Sequence, residues 1–250
     1  MENGEPQISP VPHDERRRRH PWLKFAAIAA SSVFSLIVVL LLAIAVFRLV
    51  GPPITPVMIA NKLRSATVGP KQWVRLEDMA RELPLAVIAS EDSKFCDHWG
   101  VDWGQVWTAM EGGRGSLRRY RGASTIPMQT VKNLYLWNQR SYVRKALEVP
   151  LVHLMSTLWP KKIVLETYLN IAPWGTTSKG PIVGAEAASQ HYFGKSAGAL
   201  TSQQAARLAA ALPCPNSKRC DPRKPSSWRL RRARQIERDI PYVRSSCFLP

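Results

Sequence analysis

An all-α, mainly helical fold preceded by one membrane-spanning helix follows from three observations. Apolar residues recur at three- and four-residue intervals over Val143–Leu158 and Ile163–Ile171, the spacing of a single helix face. Thr201-Ser-Gln-Gln204 reads as a capping box ahead of Ala205–Leu212, with a hydroxyl and an amide three positions apart to satisfy the first free N–H groups. Strand signals, by contrast, are weak throughout. At 250 residues the chain can hold one domain of about 200 residues plus an anchor and still bury a core.

Taken in order, residues 1–20 are polar, proline-containing and end in the run Arg16-Arg-Arg-Arg19, which reads as disordered, and with Lys24 they make up a basic tail, 1–24. Phe25 to Phe47 is a run of 23 residues without a formal charge. As a helix it would span about 35 Å, against about 30 Å of hydrocarbon. The basic residues before it outnumber the lone Arg48 after it, so the positive-inside bias puts the N-terminus in the cytoplasm and the rest across the membrane. The competing reading is a removable signal peptide cut near Ala43-Ile-Ala45, but a signal core is normally about 7–15 residues. The anchor is therefore assigned to 25–50. A stalk, 51–75, opens with Gly51-Pro-Pro-Ile-Thr-Pro56, which cannot continue a helix, and the folded domain occupies 76–250.

Within that domain, Leu83–Ala89 reads as a helix with Pro84 in its first turn. Val101–Arg121 sets Trp103, Trp107 and Met110 beside Arg114, Arg118, Arg119 and Arg121. Such a mixture suits a lipid–water interface, and equally an amphipathic helix whose tryptophans face the core. The formal net charge of +17 attracts polyanions of any kind, and the apolar span favours a membrane and its phosphorylated lipids over nucleic acid. Of the four cysteines, Cys214 and Cys220 are near enough to close a short disulfide loop, whereas Cys96 reads as a small buried side chain. No Cys or His pair has zinc spacing.

Ser90-Glu91-Asp92-Ser-Lys-Phe95-Cys-Asp-His98-Trp-Gly100 places two adjacent carboxylates at the end of an apolar run. Downstream follow Gly122-Ala-Ser124-Thr125-Ile126-Pro-Met-Gln129-Thr-Val-Lys132-Asn133, then Arg144-Lys145-Ala-Leu-Glu148, then Lys161-Lys-Ile-Val-Leu165-Glu166-Thr-Tyr168-Leu169-Asn170, and later Tyr192-Phe193-Gly194-Lys195. In this order, over roughly Leu83 to Pro215, the series resembles the peptidoglycan glycosyltransferases, glycosyltransferase family 51. Their signatures run E-D-x-x-F-x-x-H-x-G, G-x-S-T-I-x-x-Q-x-x-K-N, R-K-x-x-E and K-x-x-[IV]-L-E-x-Y-L-N. The resemblance implies a lysozyme-like bilobal fold whose smaller lobe dips into the membrane, and Trp103 to Arg121 would belong to that lobe. The Trp137-to-Lys145 run is similar to that of the monofunctional biosynthetic transglycosylases of Gram-negative bacteria. The absence of Ser-x-x-Lys fits an expectation that no transpeptidase is attached.

The implied reaction polymerises lipid II into β-1,4-linked glycan strands and releases undecaprenyl pyrophosphate. A general base must take the proton from the incoming sugar hydroxyl, and by the family pattern that base is Glu91. The departing pyrophosphate needs cations rather than a proton, and Lys132, Arg144 and Lys145 match those positions. Glu148 matches a second catalytic carboxylate that positions substrate or a divalent cation, Mg or Mn; read alone, its i+4 spacing from Arg144 is an intrahelical ion pair. Asp92, Ser124, Thr125, Gln129, Lys132, Asn133, Arg144 and Lys145 make up the implied substrate-binding set. No organic cofactor is implied. Implied partners are lipid II, the nascent glycan strand, membrane lipid and other cell-wall synthesis and division proteins. Glu166, Tyr168 and Asn170 are expected to hold the helix that supports the cleft, and His98 to be a capping or core histidine.

The chain departs from the family pattern at Pro127 and Met128, at Gln190-His191, and at Pro150, which should kink or end its helix. A lysozyme-like hydrolase or lytic transglycosylase would also place a carboxylate in a helical cleft, but would need it protonated. A non-catalytic basic membrane protein is a further reading, and the arginine-rich stretch Arg223–Arg238 fits it, although such stretches are usually solvated helix faces.

Overall fold

The computed structural model describes residues 21–50, 72–112, 124–137, 141–178, 180–215 and 217–249. Residues 1–20 of the expected tail, most of the stalk, and Arg114, Arg118, Arg119 and Arg121 lie outside the described residues, while Pro21–Lys24, expected in the tail, are helical. The first helix, α1 (Pro21–Leu49), contains a stretch from Lys24 to Leu49 long and apolar enough to cross a membrane. The chain divides into two compact units between Ala43 and Ile44, so the last turns of α1 belong to the globular unit. There Trp159 Nε1 donates to the Ile44 carbonyl at 2.8 Å, and the Phe47 ring stacks on Tyr135.

The globular unit is built from α2 (Glu82–Glu91), α3 (Trp103–Gly112), α4 (Ile126–Tyr135), α5 (Tyr142–Leu158), α6 (Lys161–Ile171), α7 (Ala185–Phe193), α8 (Ser202–Ala211) and α9 (Ser227–Asp239). Between α6 and α7 an antiparallel hairpin, β1 (Pro173–Thr177) and β2 (Gly180–Val183), interrupts the helical pattern, an element that alternation did not reveal. The short 3-10 turns at Leu76–Asp78, Ala197–Ala199, Lys218–Cys220 and Ile240–Tyr242 connect the helices.

Helix α2 sits at the centre. Leu83, Pro84, Leu85, Ala86, Val87 and Ile88 are all buried, so the helix has no solvated face along this run and must be enclosed. Helices α8 and α9 supply much of the enclosure. Ala205, Ala206, Ala209 and Ala210 of α8 are buried, and their small side chains let the backbones approach closely. The capping box at Thr201 and Gln204 forms as its spacing implies, with the hydroxyl accepting from Gln204 N and the amide oxygen from Thr201 N. On the other side α4 packs against both α5 and α6.

Two expectations are corrected here. Pro150 neither ends nor breaks its helix, for α5 runs unbroken from Tyr142 to Leu158. Proline removes one donor to the carbonyl four residues back, and both Pro150 and Ala146 are exposed, so water can satisfy the freed carbonyl. Cys96 is not a free buried thiol; it is joined to Cys247, 151 positions away. Cys214 and Cys220 do form the short disulfide. The longer bridge, the Arg244–Asp97 ion pair at 2.6 Å and the edge contact of buried Phe248 on Phe95 fasten the C-terminal segment to the loop after α2.

Helix α6 anchors the entry to the domain. Glu166 accepts from Trp73 Nε1 at 3.0 Å and from Leu76 N at 2.9 Å. Asn170 accepts from Val74 N at 2.9 Å and donates to the Val74 carbonyl at 2.8 Å. Opening the long loop by replacing Cys96 and Cys247 together with serine should lower unfolding free energy by about 2–5 kcal/mol, read as a lower Tm of the detergent-solubilised chain. An unchanged Tm would mean that packing of Phe248 alone secures this segment.

Candidate active site

Glu91 is the last residue of α2, so it leaves the enclosed core at a fixed position and stands half-buried. Gln129 of α4 donates from Nε2 to Glu91 Oε2 at 3.0 Å, and the Ser90 hydroxyl lies 3.4 Å from Oε1. Gln129 is itself oriented, because buried Tyr168 of α6 donates its hydroxyl to the amide oxygen at 3.1 Å. That bond fixes which end of the amide faces Glu91. Burial pushes the Glu91 carboxyl above its ordinary value of 4.5, while the Gln129 and Ser90 hydrogen bonds and the charges of Arg232 and Lys132 pull it down.

Lys132 lies one turn beyond Gln129 on the same face of α4. Burial and the nearby Arg144 lower its pKa, with Glu91 opposing. Lys145 is lowered by burial, then by Arg144 and Lys132. Lys132 therefore couples to Glu91 on one side and to Arg144 and Lys145 on the other. Arg144 and Lys145 reach Glu148 from one and the same helix, Lys145 at 3.3 Å, and the Glu148 side chain is only 3% exposed. Buried Glu148 is thus paired with both cations of its own helix.

Asp92, beside the base in sequence, points elsewhere. It is buried, with Oδ1 taking His98 Nε2 at 2.9 Å and Oδ2 taking the backbone N of Ile126 at 2.9 Å. The second contact puts a carboxylate on the N-terminus of α4, where the helix dipole favours it. Both oxygens of Asp92, expected to contact substrate, are thus engaged within the fold, one of them linking the end of α2 to the start of α4. His98 accepts Gly100 N at Nδ1 and so donates from Nε2 to Asp92, the structural histidine expected. Gly100 has a φ of 92°, and a Cβ there would collide with Ser156 and Val152, which accounts for the motif glycine.

Thr125 is likewise internal. It donates its hydroxyl to the Gly100 carbonyl and accepts from Met128 N as the N-cap of α4. Asn133 is buried, whereas Ser124 is exposed. Lys161 spans the loop from below, donating to the Phe95 carbonyl at 2.5 Å and the His98 carbonyl at 2.7 Å, and burial draws its pKa down to about 8.

A transglycosylase family model matches residues 60–239. The chain belongs to the transglycosylase family. It is 42% identical over 215 residues to the biosynthetic peptidoglycan transglycosylase of Rhodospirillum centenum, covering 86% of this chain and 90% of that protein. Identity is 39% over 238 residues with the protein of the same name from Pasteurella multocida, covering 90% and 94%. The Marinomonas protein of that name is 49% identical over 175 residues, 69% of this chain and 72% of its own length.

Within this transglycosylase site, sequence patterning did not single out Ser90, Lys161 or Arg232 for a role. Arg232 had a signal: it shares a helix face with Arg229, Ala233 and Ile236, and the last two are buried. Because the folded chain raises the Glu91 pKa, the folded state binds more protons than the unfolded chain between 4.5 and that raised value. Stability tied to this group therefore falls as pH rises through the interval, and the cost is complete above it. Glu91→Gln should accordingly raise Tm at neutral pH and leave it little changed below pH 4.5. A Tm lowered at neutral pH would show that the carboxylate is stabilised by its surroundings instead.

Proposed function

We propose that the chain is a peptidoglycan glycosyltransferase that polymerises lipid II into β-1,4-linked glycan strands. The observation that carries this reading is a half-buried Glu91, held by Gln129 at 3.0 Å, whose neighbouring cation Lys132 is in turn coupled to Arg144 and Lys145. The acceptor's 4-hydroxyl oxygen attacks C1 of the donor sugar while Glu91 takes its proton. The bond from C1 to the pyrophosphate oxygen breaks, its electron pair stays on undecaprenyl pyrophosphate, and C1 inverts. The leaving group departs as an anion, so its need is for positive charge, which the three cations meet. A hydrolase of the lysozyme type has a sugar alcohol as leaving group and no use for such a cluster.

Gln129 fixes the direction of the carboxylate, and Glu148 fixes Arg144 and Lys145 beneath the phosphates. Ser124 is exposed and open to a direct contact with substrate, Thr125 and Asp92 act through the backbone they hold, and Asn133 is buried. Glu148, the carboxylate expected to position a Mg or Mn ion, is engaged by Arg144 and Lys145, and among the described residues no three His, Cys, Asp or Glu converge, so the protein would supply few of such an ion's ligands. A divalent ion is proposed only as one carried on the substrate's pyrophosphate.

We place α1 in the bacterial inner membrane with the catalytic domain on the periplasmic side. The arginine run before α1 and the two disulfides, which suit an oxidising compartment, support that orientation. Trp99, Trp103 and Trp107 are exposed by 74%, 56% and 61%, with Val143 and Leu147 exposed on α5, a surface suited to the lipid interface. Partners proposed with this placement are membrane lipid and other cell-wall synthesis and division proteins. With labelled lipid II, the purified chain should make long glycan, and Glu91→Gln should lose about 10²–10⁴-fold of that rate with its helical circular dichroism intact. Full activity in the variant, or cleavage of preformed sacculi in place of synthesis, would overturn the assignment.

A further inference from the structure

The arginine-rich helix α9 is left unused by the reaction above, and its arginines are not equivalent. Arg231, Arg234 and Arg238 are exposed, but Arg229 and Arg232 are half-buried beside Ala233 and Ile236. Each of these two donates to a backbone carbonyl near the C-terminal end of a neighbouring helix. Arg229 Nη1 reaches the Ala210 carbonyl of α8 at 2.8 Å, and Arg232 Nη2 reaches the Ser90 carbonyl of α2 at 3.3 Å.

The second contact falls at the one residue before Glu91. The C-terminal end of a helix is the unfavourable end for an anion, since its unpaired carbonyls carry partial negative charge. Glu91 occupies that end and is also partly desolvated, so two effects oppose its ionised form. A guanidinium at the same helix end opposes both and satisfies one of the free carbonyls.

The groups that face Glu91 come from every side. Its own helix offers the Ser90 hydroxyl, which also lies 3.3 Å from the Ala209 carbonyl of α8. Helix α4 offers Gln129 and Lys132, with Arg144 of α5 beyond Lys132, and α6 offers the Tyr168 hydroxyl one bond away. Helix α9 offers Arg232. Lys132 is assigned to the departing phosphate and is itself weakened as a cation by burial and Arg144. Arg232, bound to the base's own helix, is therefore the cation dedicated to the base.

We propose that Arg232 is a positioning residue for the reaction: it caps the end of α2 and supplies the positive charge that keeps Glu91 ionised and aimed. This rests on Glu91 being the general base. The test is the pH dependence of kcat/KM on labelled lipid II for the full chain in detergent, comparing wild type with Arg232→Gln, Arg232→Met, Arg232→Lys and Arg229→Gln. The acidic limb should move up by about half a pH unit in R232Q and R232M, about a threefold loss of rate on the limb. R232K, which keeps the charge, and R229Q, which removes a cation from the same helix at a different carbonyl, should hold the limb near its wild-type position.

The position of the limb does not depend on the fraction of molecules that are folded, so a partly unfolded variant still reports. An unmoved limb in R232Q and R232M, or an equal shift in R229Q or R232K, would overturn the proposal while leaving the base in place. Glu91→Gln retaining wild-type rate with the same acidic limb would instead overturn the assignment of the base.

Discussion

The rest of the site depends on a carboxylate fixed at the end of a helix that has no solvated side. Side chains from Leu83 to Ile88 are enclosed all round, so α2 cannot roll or slide without disturbing contacts with α8 and α9. Glu91 inherits that rigidity. The same enclosure strips water from the carboxyl and makes its charge costly, which raises its affinity for a proton and supports the base role proposed above. On that proposal, stability is given up at this point in return for a poised base.

Several residues of the first and second motifs bind one another and so keep α2 and α4 in register. Asp92 binds the start of α4, Thr125 binds the carbonyl of Gly100, and His98 links Asp92 to Gly100. Lys161 holds the carbonyls of the same loop from α6. The result is a short circuit of polar contacts around a glycine that no other residue could replace without moving α5. Against that frame, Gln129 and Lys132 project from α4 toward the base, and the α5 pair stands over Glu148.

Much of this was legible from spacing. The helices of the 142–158 and 161–171 regions, the capping box at Thr201 and the ion pair of Arg144 with Glu148 all follow from local rules, because each contact lies within four residues. What escaped depends on distant neighbours. Whether Pro150 breaks a helix depends on whether its face is wet, and the fate of Cys96 depends on a partner 151 positions away. The hairpin of Pro173–Val183 lacks β-branched alternation and forms in the loop between two helices. The contacts of Asp92 and Arg232 could not be read from spacing for a common reason: a charged side chain looks the same in sequence whether it meets water, substrate or a helix end.

The central claim is that the Glu91 carboxyl is held with a raised proton affinity and is the group whose ionisation starts the reaction. It is tested most directly by a 13C NMR titration of the side-chain carboxyls in the detergent-solubilised chain, with the Glu91 signal assigned from its loss in the glutamine variant. The account predicts a midpoint above the ordinary 4.5 that coincides with the acidic limb of glycan synthesis. A midpoint at or below 4.5, with the rate falling at some other pH, would contradict it.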